Sequence, residues 1–201
     1  MISAKLLRME DSMENKEKSY FRLFRDTCKA INSSLNLSDV LDLITVNVKA
    51  ALDVKACTVF LWDRKRGTLE VGATHGLNES YLKKGPLDAD KSIAGTLQGN
   101  SVLIHDTADD PRVQYPDEAK KEGIASIFSV PISVKGRIIG VLRIYMSEKR
   151  EFTEDQVEFI NGLADMCGIA IDNARMYDLL KADHEKLVTE TYQWFEFGKM
   201  P

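Results

Sequence analysis

At 201 residues, 44% hydrophobic and 29% charged, the chain has the size and composition of one globular domain with some helical extension. Its net charge of -4, with basic residues interleaved among acids, excludes the clustered Lys and Arg through which nucleic acid is bound. Three scattered cysteines, Cys28, Cys57 and Cys167, fit neither a disulfide framework nor a zinc spacing, and no apolar run nears the roughly 20 residues of a membrane helix, so a cytoplasmic protein with no membrane partner is expected.

The chain opens on Met1 to Leu7, too short an apolar run for a signal peptide. From about Ser12 to Ser34, Tyr20, Phe24, Ile31 and Leu35 recur at helical spacing between charges, which predicts an amphipathic helix. Ser38 is the expected cap of a second helix, whose apolar face is Val40, Leu41, Ile44, Val48 and Leu52. The pattern then changes to strands. Cys57 to Trp62 and Thr68 to Thr74 flank a polar link ending in Gly67, the mark of a hairpin. A long polar segment from about His75 to Gly123 follows, with short helices expected at Ser92 to Gln98 and Asp117 to Glu122 and a short strand at Val102 to His105. Such a segment laid over a sheet is where a ligand lid would lie. Ser126 to Val134 alternates, with Phe128, Val130, Ile132 and Val134 sharing a face. Lys135-Gly136 links it to Arg137 to Met146, the longest strand. Pro131 lacks an N–H to donate and is expected at an edge or bulge.

Thr153 and Gln156 form an expected capping box, with Phe152 and Val157 as its hydrophobic staple. The helix they start runs without proline to about Tyr192, longer than a domain core can cover. Asn173, Tyr177, Leu180, His184, Leu187, Thr191 and Trp194 keep a 4-3 spacing, which points to pairing with a second copy.

This order of elements resembles the GAF family of sensor domains, as do several strings. Among them are Thr74-His75-Gly76-Leu77, Ser92-Ile93-Ala94-Gly95, Gly99 to Asp106, Asp109-Asp110-Pro111-Arg112, Ser126 to Ile132, Gly136 to Leu142 and Phe152 to Gln156. The resemblance implies an α+β fold, a central antiparallel sheet of five to six strands with helices on one face and a long C-terminal helix. It also implies a pocket beneath the lid. The expected divisions are an N-terminal helix over residues 1–36, a core over 37–172 and a helical extension over 173–201.

Relatives in the family bind cyclic nucleotides, bilins, haem, amino acids or no ligand at all, and the fold does not choose among them. The Asn-Lys-Phe-Asp-Glu motif of the phosphodiesterase members is not present. Between Cys57 and Cys167 there is no thiol for bilin attachment or for methionine sulfoxide reduction. The segment before the fourth strand, Gly123-Ile124-Ala125-Ser126, carries no histidine where haem-binding relatives supply one. The string Asp183-His184-Glu185-Lys186 lacks the proline of a phospho-acceptor box, and neither a nucleophile elbow nor a phosphate-cradling glycine loop occurs. The expectation is a non-enzymatic domain whose cofactor, if it has one, the sequence does not name. The candidate ligand-binding residues on the rim are His75, Ile93, Ala94, Asp106, Arg112, Tyr115 and Ser126. Phe60, Val71, Ala73, Ile104, Phe128 and Val130 are assigned to the floor or the core beneath it, and Phe128 joins the candidate site. Two functions follow: a small-molecule sensor signalling through a homodimer of terminal helices, or a ligand-free scaffold for dimerisation and protein interaction.

Overall fold

The computed structural model describes residues 20–33, 36–64, 66–88, 91 and 93–198, except the side chains of 193–197. The first described helix, α1, covers residues 20–33. The stretch from Ser12 to Ser19 and Leu35 lie outside the described residues. Helix α2 (Leu37–Leu52) starts two positions earlier than Ser38 suggests: Asn36 is the cap, its side chain accepting from the Ser38 N–H at 3.0 Å. Asn caps as well as Ser, and here it comes first in the chain.

Strands β1 (Ala56–Asp63) and β2 (Thr68–His75) form the first hairpin. Short helices α3 (Glu79–Leu82) and α4 (Ala94–Leu97), strand β3 (Val102–Ile104) and helix α5 (Pro116–Glu122) make up the lid segment. Strands β4 (Ser126–Val134) and β5 (Arg137–Met146) form the second hairpin. Its link has Lys135 at φ 50 and Gly136 at φ 76, the two left-handed residues of a primed turn, whose twist matches the strands it joins. The five strands make one antiparallel sheet in the order β2-β1-β5-β4-β3. Because β3 reaches only to Ser129 of β4, Pro131 lies past its end with no neighbour on that side needing an N–H.

One face of the sheet is covered by α1, α2 and α6 (Glu154–Phe197). Val40, Leu41, Ile44 and Val48 of α2 and Ile160, Leu163, Ala164, Cys167 and Ile171 of α6 are buried there against Cys57, Val59, Val130, Leu142 and Ile144. Burying each of the Val, Leu and Ile side chains among these contributes about 1.5–3 kcal/mol. Tyr20 of α1 stacks on Phe159 of α6 with ring centroids 4.2 Å apart. The capping box forms as the spacing predicts: the Thr153 N–H donates to Gln156 Oε1 at 3.1 Å and the Gln156 N–H to Thr153 Oγ1 at 3.3 Å. Helix α6 is 44 residues long, about 66 Å at 1.5 Å per residue, and every residue from Arg175 to Tyr192 is exposed. Ile171 is the last residue of α6 that the core buries. The side chain of Trp194 lies outside the described residues.

Candidate functional site under the lid

The sheet face turned away from the long helices is covered by the segment between β2 and β4. Its packing falls into two apolar groups. Ala56, Tyr81, Ile104, Ala119, Ile127 and Tyr145 form one, and Phe60, Leu69, Leu87, Ile93 and Val141 the other. Between them the strand register lines up Thr74, Thr58, Arg143 and Ser129 in a row across β2, β1, β5 and β4. Thr58 and Thr74 share a hydroxyl hydrogen bond of 2.8 Å. Arg143 is 3% exposed, its guanidinium carbon 5.7 Å from the Tyr145 ring centroid. A buried guanidinium in a central strand is expensive, and it sets strong positive potential under the lid.

Beside this row is a cavity of about 210 Å³, lined by Phe60, Leu69, Leu82, Lys84, Leu87 and Tyr145 among others. Lys84 projects across its edge: the ammonium stands 3.7 Å from the Tyr81 ring centroid and donates to the Tyr81 carbonyl at 3.1 Å. Burial, and then the Arg143 charge, bring its pKa down to about 8. Burial likewise pushes the Tyr145 phenol and the Cys57 and Cys167 thiols up, so these two cysteines behave as small apolar side chains.

The lid is stitched to itself and to the sheet. Tyr115 donates its hydroxyl to the Pro86 carbonyl at 3.1 Å, and the Asp88 N–H donates to Gln114 Oε1 at 2.8 Å. Gly85 at φ 123 allows this seam, since a Cβ there would come within 2.7 Å of the Tyr115 hydroxyl. On the far side, Glu122 is 7% exposed and accepts from the Asn78 N–H at 3.2 Å and from its Nδ2 at 3.0 Å, with Lys55 Nζ at 3.4 Å. This clasp ties α5 to the loop after β2 and to the start of β1.

The sequence-predicted residues divide. Ile93 is buried in the second apolar group, with Ala94 beginning α4 beside it, and Tyr115 packs against the same group. His75 is exposed at the end of β2. Asp106 turns outward: it pairs with Lys149 and accepts from the Ala108 N–H at 3.0 Å, and both bonds hold its carboxyl below the usual range. The Arg112 fork closes on Asp110 and reaches the Leu103 carbonyl at 3.4 Å, so Asp106 and Arg112 do not pair with each other. Ser126 donates to the Glu148 carbonyl at 2.6 Å, closing the end of the hairpin. Phe128 lies on the helix side of the sheet, its ring 5.2 Å from Phe152, and Ala73 and Val130 share that core. Of the residues assigned to the floor or the core beneath it, these three lie in the core. Because β4 is buried on both faces, its alternation shows which residues share a face without showing which layer covers it. Among the described residues no cluster of three or more His, Cys, Asp and Glu is arranged to hold a metal.

Arg143, Lys84, Gln114 and Glu122 were not singled out from the sequence. Arg143 did carry a signal, as a lone charge inside Val141 to Met146, an otherwise apolar run.

The sequence profile of the GAF domain matches residues 36–171. The chain belongs to the GAF domain family. The chain is 32% identical over 166 residues to the methyl sulfide methyltransferase-associated sensor of Methanosarcina acetivorans, covering 79% of this chain and 17% of that protein. It is 23% identical over 184 residues to the formate hydrogenlyase transcriptional activator of Salmonella typhimurium, covering 87% and 26%. The chain thus spans only about a sixth to a quarter of these relatives' length. Among solved structures, the GAF domain of a phosphoenolpyruvate-protein phosphotransferase from Coxiella burnetii superposes with a TM-score of 0.71 at 25% identity, covering 81% of this chain and 98% of that one. The GAF domain therefore stands among sensory and regulatory modules. No described helix is long and apolar enough to cross a membrane.

Proposed function

We propose that this GAF domain is a ligand-operated regulatory module without catalytic activity, which acts in the cytoplasm as a homodimer paired through its terminal helices. The observation that carries it is the cavity between the stitched lid and the sheet, set beside a buried arginine. A molecule held there by both walls favours one lid arrangement over others, and only such a difference in affinity shifts a population. The output element is one strand away. Ser129 of β4 belongs to the lid-side row, while its neighbour Phe128 packs on Phe152 at the start of α6. A displacement of β4 under the lid is thereby passed to a helix about 66 Å long, whose far end has no core of its own.

Of the residues proposed from the sequence, Phe60 and Val71 line this cavity, while Ile93 packs in the apolar group beside it and Tyr115 latches the lid through the Pro86 carbonyl. Asp106 and Arg112 are engaged with Lys149 and Asp110, which favours the scaffold alternative, in which the lid stays closed and the helices alone do the work. Native mass spectrometry of gently purified protein separates the two. A dimer carrying a constant extra mass is the expected result; a dimer at its sequence mass in every preparation assigns the domain to the scaffold.

A further inference from the structure

Lys84 is the group under the lid with most to gain from a ligand. Its ammonium is partly withdrawn from water and stands near a second cation, Arg143. Among the described residues no carboxylate lies within ion-pair distance of Nζ; Glu118 and Glu122 act on it only from further off. Its polar contact is the Tyr81 carbonyl, which takes one of three N–H donors. An anion placed on the remaining donors, away from water, would make charge-assisted hydrogen bonds of the stronger kind. The other walls of the cavity are mostly hydrocarbon and aromatic ring. A phosphate dianion loses more hydration than one ammonium can restore, whereas a singly charged group on an apolar body suits these walls. Cavities of about 150 Å³ accept benzene, and this one is about 210 Å³.

We infer that the cavity takes a small organic carboxylate, its charged end on Lys84 and its apolar body against Phe60, Leu69, Leu87 and the Tyr145 ring. This rests on the cavity being a ligand site and adds the chemical class of the ligand.

Benzoate and benzamide, nearly identical in shape and different in charge, are the probes. Their affinities for the full chain are measured by NMR titration at pH 7, with benzoate expected to bind about tenfold more tightly. The pH dependence has a definite sign. An anion on Lys84 raises its pKa from about 8, so binding near that pH takes up protons, and the benzoate preference is full below it and lost as pH rises beyond it. The other titratable groups facing Lys84 are Arg143, Tyr81, Tyr115, Tyr145, Glu118 and Glu122. Lys84→Met should abolish the preference while still binding benzamide, which shows that its cavity is intact. Lys84→Arg should keep the preference at high pH. Equal affinities for the two probes, or a preference that survives in Lys84→Met, overturn the carboxylate assignment and leave the cavity as a site for neutral ligands. Binding of neither probe overturns the ligand-site reading itself.

Discussion

Glu122→Ala should lower the stability of the domain by about 3 kcal/mol, roughly 6–12 °C in Tm for a chain of this length. The carboxylate side chain is 3% exposed and gathers three donors from two other elements: the Asn78 N–H, the Asn78 amide and the Lys55 ammonium. Lys55 is itself only 23% exposed. Truncation leaves a half-buried cation and a backbone donor without their acceptor, and the penalty comes mainly from those stranded groups. The damage should be local before it is global. Hydrogen exchange is expected to quicken first in α3, α5 and the loop after β2, because Glu122 is what holds them together. Glu122→Gln keeps an acceptor for Asn78 and should cost about 1 kcal/mol. Equal Tm values for wild type and Glu122→Ala would show that the clasp does not hold the lid.

The second large effect is on assembly. Leu180→Asp combined with Leu187→Asp should weaken the proposed homodimer by about 4 kcal/mol or more, roughly a thousandfold in Kd. Leu180 and Leu187 are 67% and 63% exposed in the single chain, so the exchange leaves the monomer's core untouched. With Tyr177 they form an apolar stripe that runs on from a groove of about 390 Å³ between α1, α2 and α6, lined by Ile31, Leu37, Val40 and Ala170. In a dimer paired along this stripe, each aspartate would be buried without a counter-charge. Sedimentation at micromolar concentration should find the wild type dimeric and the double variant monomeric, with unchanged circular dichroism from the sheet. A double variant that remains dimeric would place the interface elsewhere.

Much of the fold was legible because local chemistry decides it. The Thr153–Gln156 box, the Lys135-Gly136 turn and the four-residue spacing of α2 each need only neighbours in sequence. The lid was legible only as a polar, turn-rich stretch, and the helix expected over Ser92 to Gln98 shrinks to Ala94–Leu97. Its geometry depends on contacts across 28, 29 and 44 positions, from Gln114 and Tyr115 to Pro86 and from Glu122 to Asn78, which no local pattern reveals. Arg112 is a rim candidate by residue type, and Asp110, two positions away, takes its guanidinium. Lys84, one of many lysines in a polar segment, acquires its character only from the burial and the arginine that the fold places beside it.

The central claim, that the lid site sets the geometry of the paired helices, is tested most directly by a distance between the two copies of α6. A spin label at Ala182→Cys, exposed on α6, in a Cys28→Ser background reports that distance by pulsed electron resonance; Cys57 and Cys167 are buried. The protein is measured as gently purified, and again after unfolding, dialysis and refolding to strip the lid site. The predicted result is a shift of the interhelix distance by about 1–2 Å or more between the two states, the scale of helix movements at regulated interfaces. Coincident distance distributions from a sample whose bound mass has been shown to leave would contradict the account.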